Sequence, residues 1–156
     1  MVTLLIADDH PLYRDALKGA LCMGFSDMEI LESGSLNETV SVLHEHEIDL
    51  LLLDLHMPGS SDLFGLLHIQ KTFPDLPIAV VSGTEDVSLI SKVVGVGAMG
   101  FIPKTASAQN ISDAVNAMLG GDIWVPESVR QQIEQVDEHF SELAENVASL
   151  TPAQYN

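Results

Sequence analysis

A single cysteine, Cys22, excludes an intrachain disulfide in this 156-residue chain and suits a reducing, cytoplasmic setting. Basic residues are scarce: Lys and Arg number 6 against 23 Asp and Glu, for a formal net charge of −17. A surface this acidic repels phosphate backbones, so these residues alone are not expected to bind nucleic acid. Acidity also fits a protein that holds divalent cations, although plain solubility explains it equally well. No apolar stretch reaches the ~20 residues needed to cross a bilayer, so no membrane partner is expected. The opening MVTLLIADDH has too short an apolar run for a secretory signal and meets acids at once. Internal repeats and low-complexity segments are absent from the sequence.

What is present is an alternating pattern. Apolar residues make up 46% of the chain, enough for a buried core. Short apolar runs at Thr3–Ala7, Glu29–Leu31, Leu50–Leu53, Ile78–Val81 and Gly100–Ile102 read as strands. Amphipathic stretches at Pro11–Met23, Leu36–His44, Asp62–Phe73, Asp86–Val96 and Ala108–Leu119 read as helices between and after them. Three of the strands lack polar alternation, as expected where helices cover both faces of a parallel sheet. Five such units in succession predict a doubly wound α/β domain ending near Gly121. Pro11 is placed to open a helix, Gly97 to follow one, and Asn37 and Ser107 to cap.

In an open parallel sheet, ligands sit beyond the carboxyl ends of the strands. Asp8 and Asp9 follow the first strand, Asp54 ends the third, Ser82 follows the fourth and Lys104 the fifth. Three carboxylates converging on one spot need a counter-charge, and an oxygen-seeking Mg²⁺ supplies it. An Asp carboxylate is also a nucleophile toward phosphorus. Phosphoryl transfer requires mainly positioning and charge neutralisation, which Mg²⁺ and the Lys104 ammonium provide, with the Ser82 hydroxyl as a donor to a phosphoryl oxygen. Taken singly, each residue has a plainer reading: a solvated loop for Asp8–Asp9, a turn or cap before Pro58–Gly59 for Asp54, a surface lysine for Lys104. Their joint placement at successive strand ends is what favours the site.

The segments IADDHPLYRDAL, LLLDLHMPG, VVSG and GAMGFIPK resemble the receiver domain of two-component response regulators, in its NarL/FixJ-like branch, over about residues 1–121. The resemblance implies a flavodoxin-like or CheY-like five-stranded sheet in the order 2-1-3-4-5. It implies Asp54 as phosphoacceptor for a sensor histidine kinase. Asp9, Asp54 and the backbone carbonyl of His56 would hold Mg²⁺, with Asp8 acting mainly through water. Ser82 would be the switch hydroxyl, Phe101 the switch aromatic and Lys104 the phosphoryl-binding lysine. Such a protein is a switch and not an enzyme, apart from self-catalysed phosphoryl uptake and release. Three positions depart from the common pattern: Phe101 where tyrosine is frequent, Thr105 where proline often follows the lysine, and Asp62 where glycine is usual.

Beyond residue 121 the pattern changes. Val129, Ile133, Val136, Phe140, Leu143, Val147 and Leu150 form a heptad seam, predicting an amphipathic linker helix over 122–150. Such a stripe needs cover. Its own receiver or a following domain could supply it, or a second copy as a coiled coil; the nearly uncharged flanks lean toward a homodimer. The closing Thr151–Asn156 resembles the start of a LuxR-type helix-turn-helix domain. The chain would then be a fragment of a transcription regulator whose DNA contact lies in the missing half, with a stand-alone receiver as the alternative.

Other functions fit less well. A phosphatase of the haloacid-dehalogenase type wants a second Asp two residues past the nucleophile, where this chain has His56. A flavodoxin-like module wants a Ser/Thr-rich phosphate loop after the first strand, where this chain has Asp8-Asp9-His10-Pro11. His10 and His56 read as loop side chains, His44 and His46 as part of a surface helix end. Cys22 reads as a small core residue and Trp124 as packing where the last helix leaves the domain.

Overall fold

The computed structural model describes residues 2–25, 27–56, 63–83 and 86–126. Five strands, β1 (Val2–Ala7), β2 (Met28–Ser33), β3 (Leu50–Asp54), β4 (Ile78–Ser82) and β5 (Gly100–Pro103), pair in parallel in the order β2-β1-β3-β4-β5. Every residue of β3, β4 and β5 is buried. Leu4, Ile6, Leu50, Leu52, Ala79, Val81 and Ile102 share one core cluster with residues of the first and last helices. Their strand neighbours Leu5, Leu51, Leu53 and Val80 point to the opposite face and are equally buried. Burial on both faces is why the strands read as unbroken apolar runs.

The helices are α1 (Pro11–Gly24), α2 (Leu36–Glu45), α3 (Phe64–Thr72), α4 (Val87–Gly95) and α5 (Ala108–Leu119). Pro11 opens α1, as expected, because its missing N–H would be an orphan there anyway. Ser107 caps α5 by accepting from the Asn110 N–H at 3.1 Å. The cap of α2 is Ser35 and not Asn37: the Ser35 hydroxyl accepts from the Glu38 N–H at 3.2 Å, while Asn37 already lies in the first turn. Cys22 is exposed, because Leu17, Ala20 and Leu21 take the inward stripe of α1. Gly97 adopts φ 105°, the left-handed conformation that ends α4. Among the described residues, no helix is long and apolar enough to cross a membrane.

The compact unit extends to Val125, past the expected boundary at Gly121. Residues 122–126 are not the first turn of a linker helix. The Trp124 N–H donates to the Met99 carbonyl at 3.0 Å and its carbonyl accepts from Phe101 N–H at 3.1 Å. The segment thus satisfies the free edge of β5 as an isolated parallel bridge. Gly100 permits this approach, since a Cβ there would lie 2.5 Å from the Trp124 carbonyl oxygen. The expected seam from Val129 to Leu150, the terminal 151–156 and Asp62 fall outside the described residues.

Candidate functional site

Parallel register aligns the carboxyl ends of the strands along one rim: Ala7 pairs with Ser33 and Leu53, Asp54 with Val81, and Ser82 with Pro103. Asp8, just past β1, and Asp54, the last residue of β3, are each about 1% exposed. The Asp54 Oδ1 accepts from the His56 N–H at 3.0 Å. That bond turns Oδ2 toward Lys104, whose Nζ lies 3.3 Å away. The Lys104 N–H donates to the Ser82 carbonyl at 2.8 Å, fixing the lysine where β4 and β5 end. Its ammonium also lies 3.0 Å from Asp8 Oδ2 and 4.9 Å from the centre of the Tyr13 ring.

Buried carboxylates are costly unless paired, and here one ammonium serves two of them. Asp8 Oδ2 and Asp9 Oδ1 nevertheless have no hydrogen-bonded partner despite being buried atoms. Ion-pair distance is met for both, from Lys104 to the first and from His10 to the second, without hydrogen-bond geometry. Burial, then the Asp8 and Asp54 charges, pushes the Tyr13 phenol well above the usual tyrosine range. From below, the Arg14 guanidinium donates to the Asp8 carbonyl at 2.7 Å and more weakly to that of Ser33, with Glu32 3.4 Å from its Nε. Arg14 thereby ties the loop after β1 to β2.

Asp8, Asp9, Asp54 and Lys104 are therefore brought together as the strand-end reading expects. Ser82 is fully buried at the end of β4, and Phe101 is fully buried in β5. His56 exposes its side chain while its backbone serves Asp54. The Lys104–Thr105 peptide bond is trans. Three participants were missed from sequence. His10 is no bystander: its Nδ1 stands 2.8 Å from Asp8 Oδ1, 3.1 Å from Asp9 Oδ1 and 3.7 Å from Asp54 Oδ2. Tyr13 and Arg14 sit three and four residues on, which helical spacing places beneath it. That spacing was the available signal, but it identifies neighbours only once α1 is anchored at Pro11.

A cavity of about 430 Å³ opens over this rim, lined by His10, Leu12, Tyr13, Asp54, His56, Gly83 and Lys104. One donor atom from each of Asp8, Asp9, His10 and Asp54 lies within 4.8 Å of the others. Together with the two orphaned carboxylate oxygens, this donor set fits a divalent cation.

The sequence pattern of the response regulator receiver domain matches residues 4–116. The chain belongs to the response regulator receiver family. It is 35% identical over 130 residues to a glycerol metabolism activator of Pseudomonas putida, covering 83% of this chain and 59% of that protein. A crystal structure of a LuxR family DNA-binding response regulator from Silicibacter pomeroyi shares 31% identity, with a TM-score of 0.72 over 83% of this chain and 99% of that one. RcsB from Salmonella enterica serovar Typhimurium, solved on promoter P1flhDC in the presence of phosphomimetic BeF3⁻, shares the fold at TM-score 0.78. There the identity is 23%, covering 88% of this chain and 69% of RcsB. The receiver spans about three-fifths of the length of curated relatives such as the Pseudomonas activator.

Proposed function

We propose that Asp54 is the phosphoacceptor of this receiver. The supporting observation is the division of labour in its carboxylate: Oδ1 is held by the His56 N–H, while Oδ2 faces Lys104 and the cavity. In this reading Oδ2 attacks the phosphorus of a phosphohistidine on a sensor kinase. An O–P bond forms, the P–N bond breaks, and the imidazole leaves. Lys104 then pairs with the arriving phosphoryl oxygens, and the Ser82 hydroxyl is the candidate donor to one of them. Asp8, Asp9 and Asp54, with the His56 carbonyl, would hold Mg²⁺, which supplies charge neutralisation. Uptake from a small acyl phosphate and later hydrolysis are self-catalysed; no separate substrate is turned over.

The phosphorylated state then biases an output. The Pseudomonas activator, the LuxR family regulator and promoter-bound RcsB support transcription as that output, through a DNA-binding domain beyond the receiver. Phe101, fully buried in β5 next to the lysine strand end, is the candidate aromatic that repacks between states. The protein would work in the cytoplasm, and the heptad from Val129 to Leu150 supports a second copy as partner.

The test is mass spectrometry after acetyl phosphate treatment with Mg²⁺. The wild-type chain should gain one phosphoryl group, and chelation of the metal or Asp54→Ala should abolish the gain. An Asp54→Ala protein that still gains it would sink the assignment.

A further inference from the structure

We infer that Tyr13 is a positioning residue for phosphoryl transfer, whose ring holds the Lys104 ammonium at the rim when Asp8 and Asp54 turn to other partners. The inference rests on the reading of Asp54 as phosphoacceptor beside a Mg²⁺ held by the strand-end carboxylates. It adds a residue that acts through the lysine and not on the reacting atoms.

The surroundings of the ammonium carry it. Lys104 Nζ lies 3.0 Å from Asp8 Oδ2, 3.3 Å from Asp54 Oδ2, 3.1 Å from His10 Nδ1 and 4.9 Å from the centre of the Tyr13 ring. In the proposed function the two carboxylates hold the metal, and that of Asp54 also attacks phosphorus, so both are drawn away from the lysine. The His10 nitrogen is shared: it also stands 2.8 Å from Asp8 Oδ1. A ring nitrogen that donates its proton to that oxygen has no lone pair left for an ammonium. The Tyr13 face is the contact for which neither metal nor phosphoryl group competes, and it lies within the roughly 6 Å at which a ring attracts a cation. The attraction is to the neutral ring, because burial, then the Asp8 and Asp54 charges, keep the phenol protonated. The hydroxyl is buried and, among the described residues, makes no hydrogen bond that would account for the residue's placement.

Both members of the pair are fixed by the backbone. The Tyr13 N–H donates to the His10 carbonyl at 3.1 Å in the first turn of α1, and its side chain packs against the core cluster. The Lys104 N–H donates to the Ser82 carbonyl at 2.8 Å. The Lys104 side chain is only 19% exposed, and desolvation strengthens an ammonium's attraction to a ring. Without the ring, a divalent cation on the carboxylates would repel this flexible side chain toward solvent. With it, the ammonium stays beside the point where the phosphoryl oxygens arrive.

Initial rates of phosphoryl uptake from acetyl phosphate at saturating Mg²⁺, read by intact mass on the full chain, test this. Tyr13→Leu should lower the maximal rate about five- to thirtyfold, the range for a largely desolvated cation over an aromatic face. Tyr13→Phe, which keeps a face, should recover most of that loss. In a Lys104→Ala background Tyr13→Leu should cost nothing further, since the lysine is what the ring acts on. Phenylalanine carrying successively more ring fluorines at position 13 separates electrostatics from packing, and decides the matter if Tyr13→Leu fails to fold. The rate should fall stepwise as the face loses its negative charge while its shape barely changes. Uptake by Tyr13→Leu as fast as wild type, an equal loss in the Lys104→Ala background, or a flat fluorinated series overturns the inference and leaves Asp54 its role. A wild-type chain that takes up no phosphoryl group removes the inference and the proposed function together.

Discussion

At the scale of single residues, the site is a balance of a few charges. Lys104 sits within 3.3 Å of Asp8 and Asp54 and so competes with any divalent cation for the same oxygens. Lys104→Ala should keep a folded protein, since the lysine side chain adds no core. It should raise Mg²⁺ affinity by at least about tenfold, a cautious figure for removing one charge near ~4 Å at an effective dielectric of ~20. The same variant should respond weakly to phosphorylation, because the phosphoryl oxygens lose their ammonium. Calorimetry reads the first effect, and unchanged or weaker Mg²⁺ binding would contradict it. Tyr13 offers a pH signature. Its phenol is pushed above the usual tyrosine range, first by burial and then by Asp8 and Asp54. Above the ordinary pKa near ~10 the unfolded chain sheds this proton while the folded chain keeps it. Stability should therefore be full below that pH and fall as pH rises beyond it. Tyr13→Phe should flatten this alkaline decline in denaturant unfolding, and a decline identical to wild type would count against the burial of the phenol.

At the scale of elements, the five β-α units were legible because burial on both faces leaves four leucines in a row at Leu50–Leu53 and IAVV at Ile78–Val81. The edge strand β2 was read three residues too short, since Glu29 and Glu32 are exposed there and break the apolar signal. Strand-end placement revealed Asp8, Asp9, Asp54 and Lys104. It could not reveal His10, whose role depends on a ring rotation that spacing does not encode. Nor could it reveal the backbone bonds by which Trp124 joins the sheet edge, although its side chain packs against the core as its sequence reading expects. Two glycines test these elements with opposite signs. Gly100→Ala places a Cβ against the Trp124 carbonyl and should cost about 1–3 kcal/mol. Gly19→Ala, on the exposed side of α1 with nothing within 4 Å, should instead stabilise by about 0.5–1 kcal/mol. Urea midpoints measure both, and a neutral Gly100→Ala would mean that the Trp124 segment yields freely.

At the scale of the whole molecule, the proposed function requires a local charge change to be converted into association or release. The heptad of Val129, Ile133, Val136, Phe140, Leu143, Val147 and Leu150 is the sequence feature suited to that. Phe140→Glu puts a charge into the seam and should shift a dimer to monomer in sedimentation without affecting phosphoryl uptake. A wild-type chain that stays monomeric at high concentration would defeat the dimer reading and leave the receiver chemistry intact. That chemistry has its own direct measurement. The chain is phosphorylated with acetyl phosphate and Mg²⁺, the acyl phosphate is reduced with borohydride, and the altered residue is mapped by tandem mass spectrometry. The modification should fall on Asp54 alone. A phosphoryl group mapped to Asp8, Asp9 or His10, with Asp54 unmodified, would contradict the account at its centre.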